Sequence, residues 1–99
     1  MDEQNKVIIY TASDGQTKID VKLEDETLWL MQAQMCELYQ TSRTNVVEHI
    51  KHIYEEGELD KEATCRNFRQ VREEGGRKVE REMTFYNLDM IIALGYRVR

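Results

Sequence analysis

Ile19, Val21 and Leu23 alternate with Lys18, Asp20, Lys22 and Glu24 in the first third of the chain. A period of two puts one set on a buried face and the other in water, which predicts a β-strand. The run Val7-Ile8-Ile9-Tyr10 before it favours β structure, and Ser13-Asp14-Gly15 offers a turn in which Asp-Gly suits positive φ. The segment therefore predicts a β-hairpin. A polar turn at Glu24-Asp25-Glu26 and a short third strand over Thr27-Leu28-Trp29-Leu30 follow. Trp29 reads as a core anchor rather than a platform for stacking a base.

The period then changes to that of a helix. Met31, Met35, Leu38 and Tyr39 are spaced i, i+4, i+7, i+8, which predicts an amphipathic helix over residues 32–39. Thr41-Ser42 interrupts the pattern and supplies a hydroxyl to cap a second helix over 43–56. The buried stripe of that helix is Val46, Ile50, Ile53 and Tyr54, and Gly57 stands where a helix end calls for left-handed backbone. The acidic stretch from Glu58 to Glu62 reads as a solvated loop.

The last third predicts a strand over residues 64–72, a turn at Glu73-Glu74-Gly75-Gly76 and a return strand over 78–86. Asn87 is a suitable N-cap for a closing helix, and Asp89 complements the positive end of its dipole. Leu88, Ile91 and Ile92 are expected on the apolar side of that helix, with Gly95 ending it.

Two amphipathic helices joined by a few polar residues, then a basic hairpin, form the order of a winged helix-turn-helix. The expected fold is α+β: one domain over 1–99, with a β-hairpin and short strand in 1–30, a helix-turn-helix in 31–57, a hairpin wing in 63–86 and a terminal helix in 87–95. If Val46, Ile50 and Ile53 pack inward, Arg43, Thr44, Val47, Glu48 and Lys51 turn outward, with Ser42 and Asn45 near the entering end. Arg43 and Asn45 are side chains that read guanine and adenine edges. Thr44 and Val47 suit a thymine methyl, and Lys51 suits a phosphate. At the wing, Gly75-Gly76 permits close approach to a backbone, and Arg77 and Lys78 are the expected phosphate contacts. Glu73, Glu74, Glu80 and Glu82 are interleaved with Arg66, Arg69, Arg72, Arg77, Lys78 and Arg81, so cross-strand pairing competes with that role.

Composition sharpens this reading. A net charge of -5 argues against phosphate contact only when it is averaged over the chain. Residues 1–30 hold three Lys and Arg against seven Asp and Glu, residues 31–62 hold three against seven, and residues 63–99 hold eight against five. The basic charge is at the end, where the wing is predicted. No apolar run approaches the roughly 18–20 residues of a membrane span, and the polar, mixed-charge start from Met1 to Lys6 does not resemble a signal peptide, so a cytoplasmic protein is expected.

Other chemistry is weaker. Cys36 and Cys65 match no metal-ligand spacing and are expected to be reduced thiols. His49 and His52, at i, i+3, could share a metal on one helix face, but no third ligand accompanies them. His49 is expected at the core edge and His52 in solvent. The carboxylates Glu55, Glu56, Glu58, Asp60 and Glu62 lack a calcium-loop pattern. There is no phosphate-cradling glycine loop and no nucleophile with a partner at recognisable spacing, so neither a cofactor nor catalysis is expected.

Three ordered motifs carry a family resemblance. Leu23-Glu24-Asp25-Glu26-Thr27-Leu28-Trp29-Leu30-Met31-Gln32-Ala33-Gln34-Met35 is the first. His49-Ile50-Lys51-His52-Ile53-Tyr54-Glu55-Glu56-Gly57-Glu58-Leu59 is the second. Tyr86-Asn87-Leu88-Asp89-Met90-Ile91-Ile92 with Gly95-Tyr96-Arg97-Val98 is the third. Together they resemble the RhuM family of bacterial virulence-associated proteins. The resemblance implies a DNA-binding module of mobile and pathogenicity-associated gene clusters, acting as a transcriptional regulator or mobile-element DNA-binding protein. It also implies that the chain corresponds to the N-terminal domain of a longer protein. Double-stranded DNA is the expected partner, with a homodimer through Ile91, Ile92 and Tyr96 as a further expectation. The alternative from another class is a protein-interaction or dimerisation module built on the same fold.

Overall fold

The computed structural model describes residues 6–11 and 14–98, with backbone alone for 6–10. The elements in chain order are β1 (Lys6–Thr11), β2 (Lys18–Glu24), β3 (Thr27–Leu30), α1 (Gln32–Tyr39), α2 (Arg43–Glu55), α3 (Lys61–Thr64), β4 (Cys65–Glu74), β5 (Arg77–Asn87) and α4 (Leu88–Arg97). The expectation of a mixed α and β protein holds. The two hairpins are not separate appendages, however. They join into one antiparallel sheet of order β1-β2-β3-β5-β4, closed in the middle by Trp29 opposite Asn87 and Leu30 opposite Tyr86.

Tight turns of the predicted chemistry set the register. Asp14 Oδ1 accepts from the backbone N–H of Gln16 and Thr17, and Gly15 takes φ +77°. The proposed turn residue Ser13 lies outside the described residues. Asp25 and Glu26 both have positive φ, as do Gly75 and Gly76, so each pair closes a two-residue hairpin loop. The loop at Gly75-Gly76 is tighter than the expected four-residue turn: pairing continues through Glu74 opposite Arg77, and Glu73 and Glu74 belong to β4.

The sheet buries apolar side chains on both faces. Ile19, Val21, Leu30 and Tyr86 point towards the helices and share a core with Met35, Val46, Ile50, Ile53, Met90, Ile91, Ala93 and Leu94. The alternating neighbours Trp29 and Phe85 point the other way. Trp29 is 2% exposed and meets Phe68 edge to face at 5.3 Å, and Phe68 meets Phe85 in the same manner at 5.2 Å. Arg66 lies over the Trp29 ring at 4.6 Å and Lys22 over Phe68 at 4.7 Å. Trp29 is thus the expected anchor, but beneath cations on the outer face. Its ring is covered and cannot stack a base.

α2 matches its predicted phase, with Val46, Ile50 and Ile53 buried and Tyr54 half-buried. The acidic loop differs from expectation, since a one-turn helix, α3, starts at Lys61. Thr64, expected in the strand, instead ends that helix, buried, with its hydroxyl 2.9 Å from both the Asp60 carbonyl and the Tyr54 hydroxyl. Burial raises the Tyr54 phenol to about 12.

α4 corrects two expectations. Its buried positions are Met90, Ile91, Ala93 and Leu94, whereas Leu88 and Ile92 are exposed. Asp89 and Arg97 give this helix a wet side, and Ile92, three positions after Asp89, falls towards it while Met90 and Leu94 fall inward. Gly95 does not end the helix, which runs on to Arg97. A Cβ at Gly95 would stand 2.7 Å from Tyr39 Oη, whose hydroxyl donates to the Ile91 carbonyl at 2.5 Å. The glycine is there to let α1 press against α4. At the end of α4, Arg97 donates to Glu56 and Glu58 at 2.6 and 2.8 Å, which holds the Glu56 carboxyl below its usual range.

Alanine in place of a mid-helix glycine ordinarily stabilises by about 1 kcal/mol. For Gly95→Ala we expect the opposite sign. Displacing Tyr39 costs packing and a hydrogen bond, about 1–3 kcal/mol in all. In a Tyr39→Ala background the same substitution should become stabilising. Thermal melts of the four proteins check this, and a Gly95→Ala chain that melts above its parent would contradict the contact.

A second expectation concerns Gln40, which ends α1 with φ 52° and ψ 51°. Left-handed backbone costs a side-chain-bearing residue roughly 1–2 kcal/mol, and the Gln40 amide offsets part of this by donating to the Glu37 carbonyl at 2.6 Å. Gln40→Gly should therefore gain about 0.5–1 kcal/mol in urea unfolding. A net loss would mean that the side-chain bond outweighs the strain.

Candidate nucleic-acid interface

The connection between α1 and α2 is fixed at each residue. Thr41 N–H donates to the Cys36 carbonyl at 3.0 Å and wraps the end of α1. Ser42 caps α2 by accepting from Asn45 N–H at 3.0 Å, as its position in the sequence predicts. Asn45 Nδ2 in turn donates to Thr41 Oγ1 at 2.8 Å. Gln40 adopts the left-handed geometry that glycine commonly supplies in such a turn, so the missing glycine does not prevent the tight connection.

This turn and the buried stripe aim the rest of α2 outward. Ser42, Arg43, Thr44, Glu48 and Lys51 are exposed, and Val47 is 41% exposed, large for a valine on a helix whose other face is core. Asn45 is half-buried, and its amide nitrogen is engaged with the turn.

The β4–β5 hairpin projects a second charged surface, and its arginines divide into two groups. Arg81 makes a two-point contact with Glu74 at 2.8 and 3.0 Å, Arg69 pairs with Glu80 at 3.7 Å, and Arg66 pairs with Asp25. Hydrogen bonding from Arg81 lowers the Glu74 carboxyl below its ordinary range and raises the arginine. The interleaved acids Glu74 and Glu80 therefore neutralise Arg81 and Arg69, and Asp25 in the β2–β3 turn neutralises Arg66. Arg72, Arg77 and Lys78 are exposed and make no ion pair among the described residues. Arg77 and Lys78 directly follow the Gly75-Gly76 loop, at the tip.

A groove of about 440 Å³ lies between the helix pair and the hairpin, with Gln32, Ala33, Arg43, Arg72, Glu82 and Tyr86 among its walls. It brings Arg43, at the first position of α2, to the same space as Arg72 of β4. Arg72 was not singled out in the sequence. It is one of six basic residues in a short stretch, and nothing in their order tells which ones meet a carboxylate.

The remaining candidates do not assemble. His52 is exposed and His49 is half-buried, its Nδ1 shielded from solvent without a hydrogen-bond partner. No cluster of three metal-ligating side chains occurs among the described residues. Cys36 and Cys65 are free thiols, each raised by burial and so protonated at neutral pH. No described helix is long and apolar enough to cross a membrane. Of the expected dimer residues, Ile91 is buried, whereas Ile92 and Tyr96 are 50% and 80% exposed and continue a line from Leu88 along α4.

Comparison with known families gives one finding. Residues 63–99 match the model of the virulence protein RhuM family. The matched stretch spans the β4–β5 hairpin and α4, and it bears out the resemblance read from the sequence, whose third motif lies within it. No curated protein and no solved structure matches the chain.

Proposed function

We propose that this chain is a DNA-binding domain of the winged helix-turn-helix type, acting as a transcriptional regulator or a mobile-element DNA-binding protein. The observation that carries the reading is the solvent-facing side of α2. A capped helix held by a tight turn exposes Arg43, Thr44, Val47 and Lys51, while its other side is core. In this reading α2 enters the major groove. Arg43 reaches base edges, Val47 and Thr44 meet thymine methyls, and Lys51 meets a phosphate. The hairpin is the wing, and Arg77 and Lys78 supply its phosphate contacts. The acidic charge of the chain does not oppose this, because the hairpin and α2 both hold exposed cations that make no ion pair among the described residues. On this reading the chain acts in the cytoplasm, where it meets its duplex.

A second reading is supported by Leu88, Ile92 and Tyr96, whose exposed apolar line on α4 suits a protein partner or a second copy. The two readings predict different behaviour towards DNA. Titration against a random duplex pool at several salt concentrations should give affinity that falls with a log–log slope of about -0.9 per phosphate contact. A chain that retains no duplex at low salt is not a DNA-binding domain. On a selected site, Arg43→Ala should lose about 1–3 kcal/mol and relax base preference without lowering the melting temperature. An unchanged base preference would remove Arg43 from the reading surface.

A further inference from the structure

Three donors converge on the groove between the helix pair and the hairpin, and only one acid accompanies them. Arg43 and Arg72 line it, and neither makes a hydrogen bond or ion pair among the described residues. The third donor is the Tyr86 hydroxyl. It accepts from Gln32 Nε2 at 3.2 Å, while its own proton has no acceptor among the described residues. Burial raises the Tyr86 phenol, so that proton stays in place at neutral pH. Glu82 is the one carboxylate in the lining, so the groove carries a net positive charge.

Two arginines and a tyrosine lining a space of about 440 Å³ suit an anion with several acceptor oxygens. The groove opens between α2 and the hairpin, the two surfaces assigned above to duplex DNA. We propose that it seats one phosphodiester of the duplex backbone, held by Arg72 and the Tyr86 hydroxyl, while Arg43 on the opposite wall adds its charge and keeps the base-edge role given above, and that this seat fixes how far α2 enters the major groove. This rests on the DNA-binding reading and adds a contact to it. The wing would then grip the backbone at Arg72, in the groove wall, as well as at its tip.

The sheet itself supplies the control. Arg69 lies on the same strand as Arg72, is paired with Glu80, and is not part of the wall of this groove. Arg69→Ala and Arg72→Ala remove the same formal charge from β4, but the first takes it from a pair with Glu80 outside the groove and the second from the groove wall. Each variant and the parent would be titrated with a duplex site at several salt concentrations. The same duplex would also carry a neutral methylphosphonate at each backbone position in turn. We expect Arg72→Ala to flatten the salt slope by about one unit and Arg69→Ala to leave it unchanged. At one backbone position, methylphosphonate should weaken the parent about tenfold and leave Arg72→Ala unaffected, because the contact is already gone. Equal flattening by both variants would mean that only total charge matters, and the site would be overturned. Persistent sensitivity of Arg72→Ala at every position would overturn it as well. A parent chain that binds no duplex would fail the DNA-binding reading itself, and the phosphodiester site with it.

Discussion

The short pairing of β3 with β5 is the constraint on which the rest of this structure depends. Three strands precede the helix pair and two follow it. They become one sheet only because Trp29 aligns with Asn87 and Leu30 with Tyr86. That alignment turns Leu30 and Tyr86 towards the helices and Trp29 towards the opposite face, where Phe68 covers it. Two apolar clusters therefore depend on one register. A slip by a single residue would exchange their faces and expose both. The same pairing places the β4–β5 hairpin beside the starts of α1 and α2, which is what creates the groove containing Arg43 and Arg72.

Polar interactions around this frame fix angles more than they add stability. The exposed pairs of the hairpin, Arg69 with Glu80 and Arg81 with Glu74, are each worth little in water. Their consequence is selective: they remove some cations from the surface and leave Arg72, Arg77 and Lys78 available. The Arg97 bridge to Glu56 and Glu58 fastens the end of α4 to the loop after α2. Tyr39, pressed on Gly95 and bonded to the Ile91 carbonyl, does the same between α1 and α4. With the C-terminal ends of α1 and α2 both tied to α4, α2 is held at either side of its length and presents its outer face as one surface. In the proposed DNA-binding role such a surface would suit a rigid duplex, where ordering a loose helix on contact costs affinity.

The sequence by itself determined the elements whose signal is local. Alternation of Ile19, Val21 and Leu23 with charged residues specifies β2, because a strand with one buried face permits only a period of two. The spacing of Val46, Ile50 and Ile53 specifies the inner side of α2, and by subtraction its exposed side. Ser42 and Asn87 could be named as caps because a short polar side chain satisfies a free backbone N–H within three residues of itself. The tertiary structure decided everything in which distant segments compete. In Leu88 through Leu94 apolar residues outnumber the inner positions, so the core took Met90 and Leu94 and left Ile92 in solvent on the side of Asp89. Gly95 carried the local signature of a helix end and instead serves a contact with Tyr39, which no neighbouring residue reveals. Which arginines meet a glutamate, and which face the groove with Tyr86, depends on strand register and sheet twist. Those are set by burying Leu30 and Tyr86 together, because hydrophobic burial rewards any apolar partner that fits and only the assembled chain selects one.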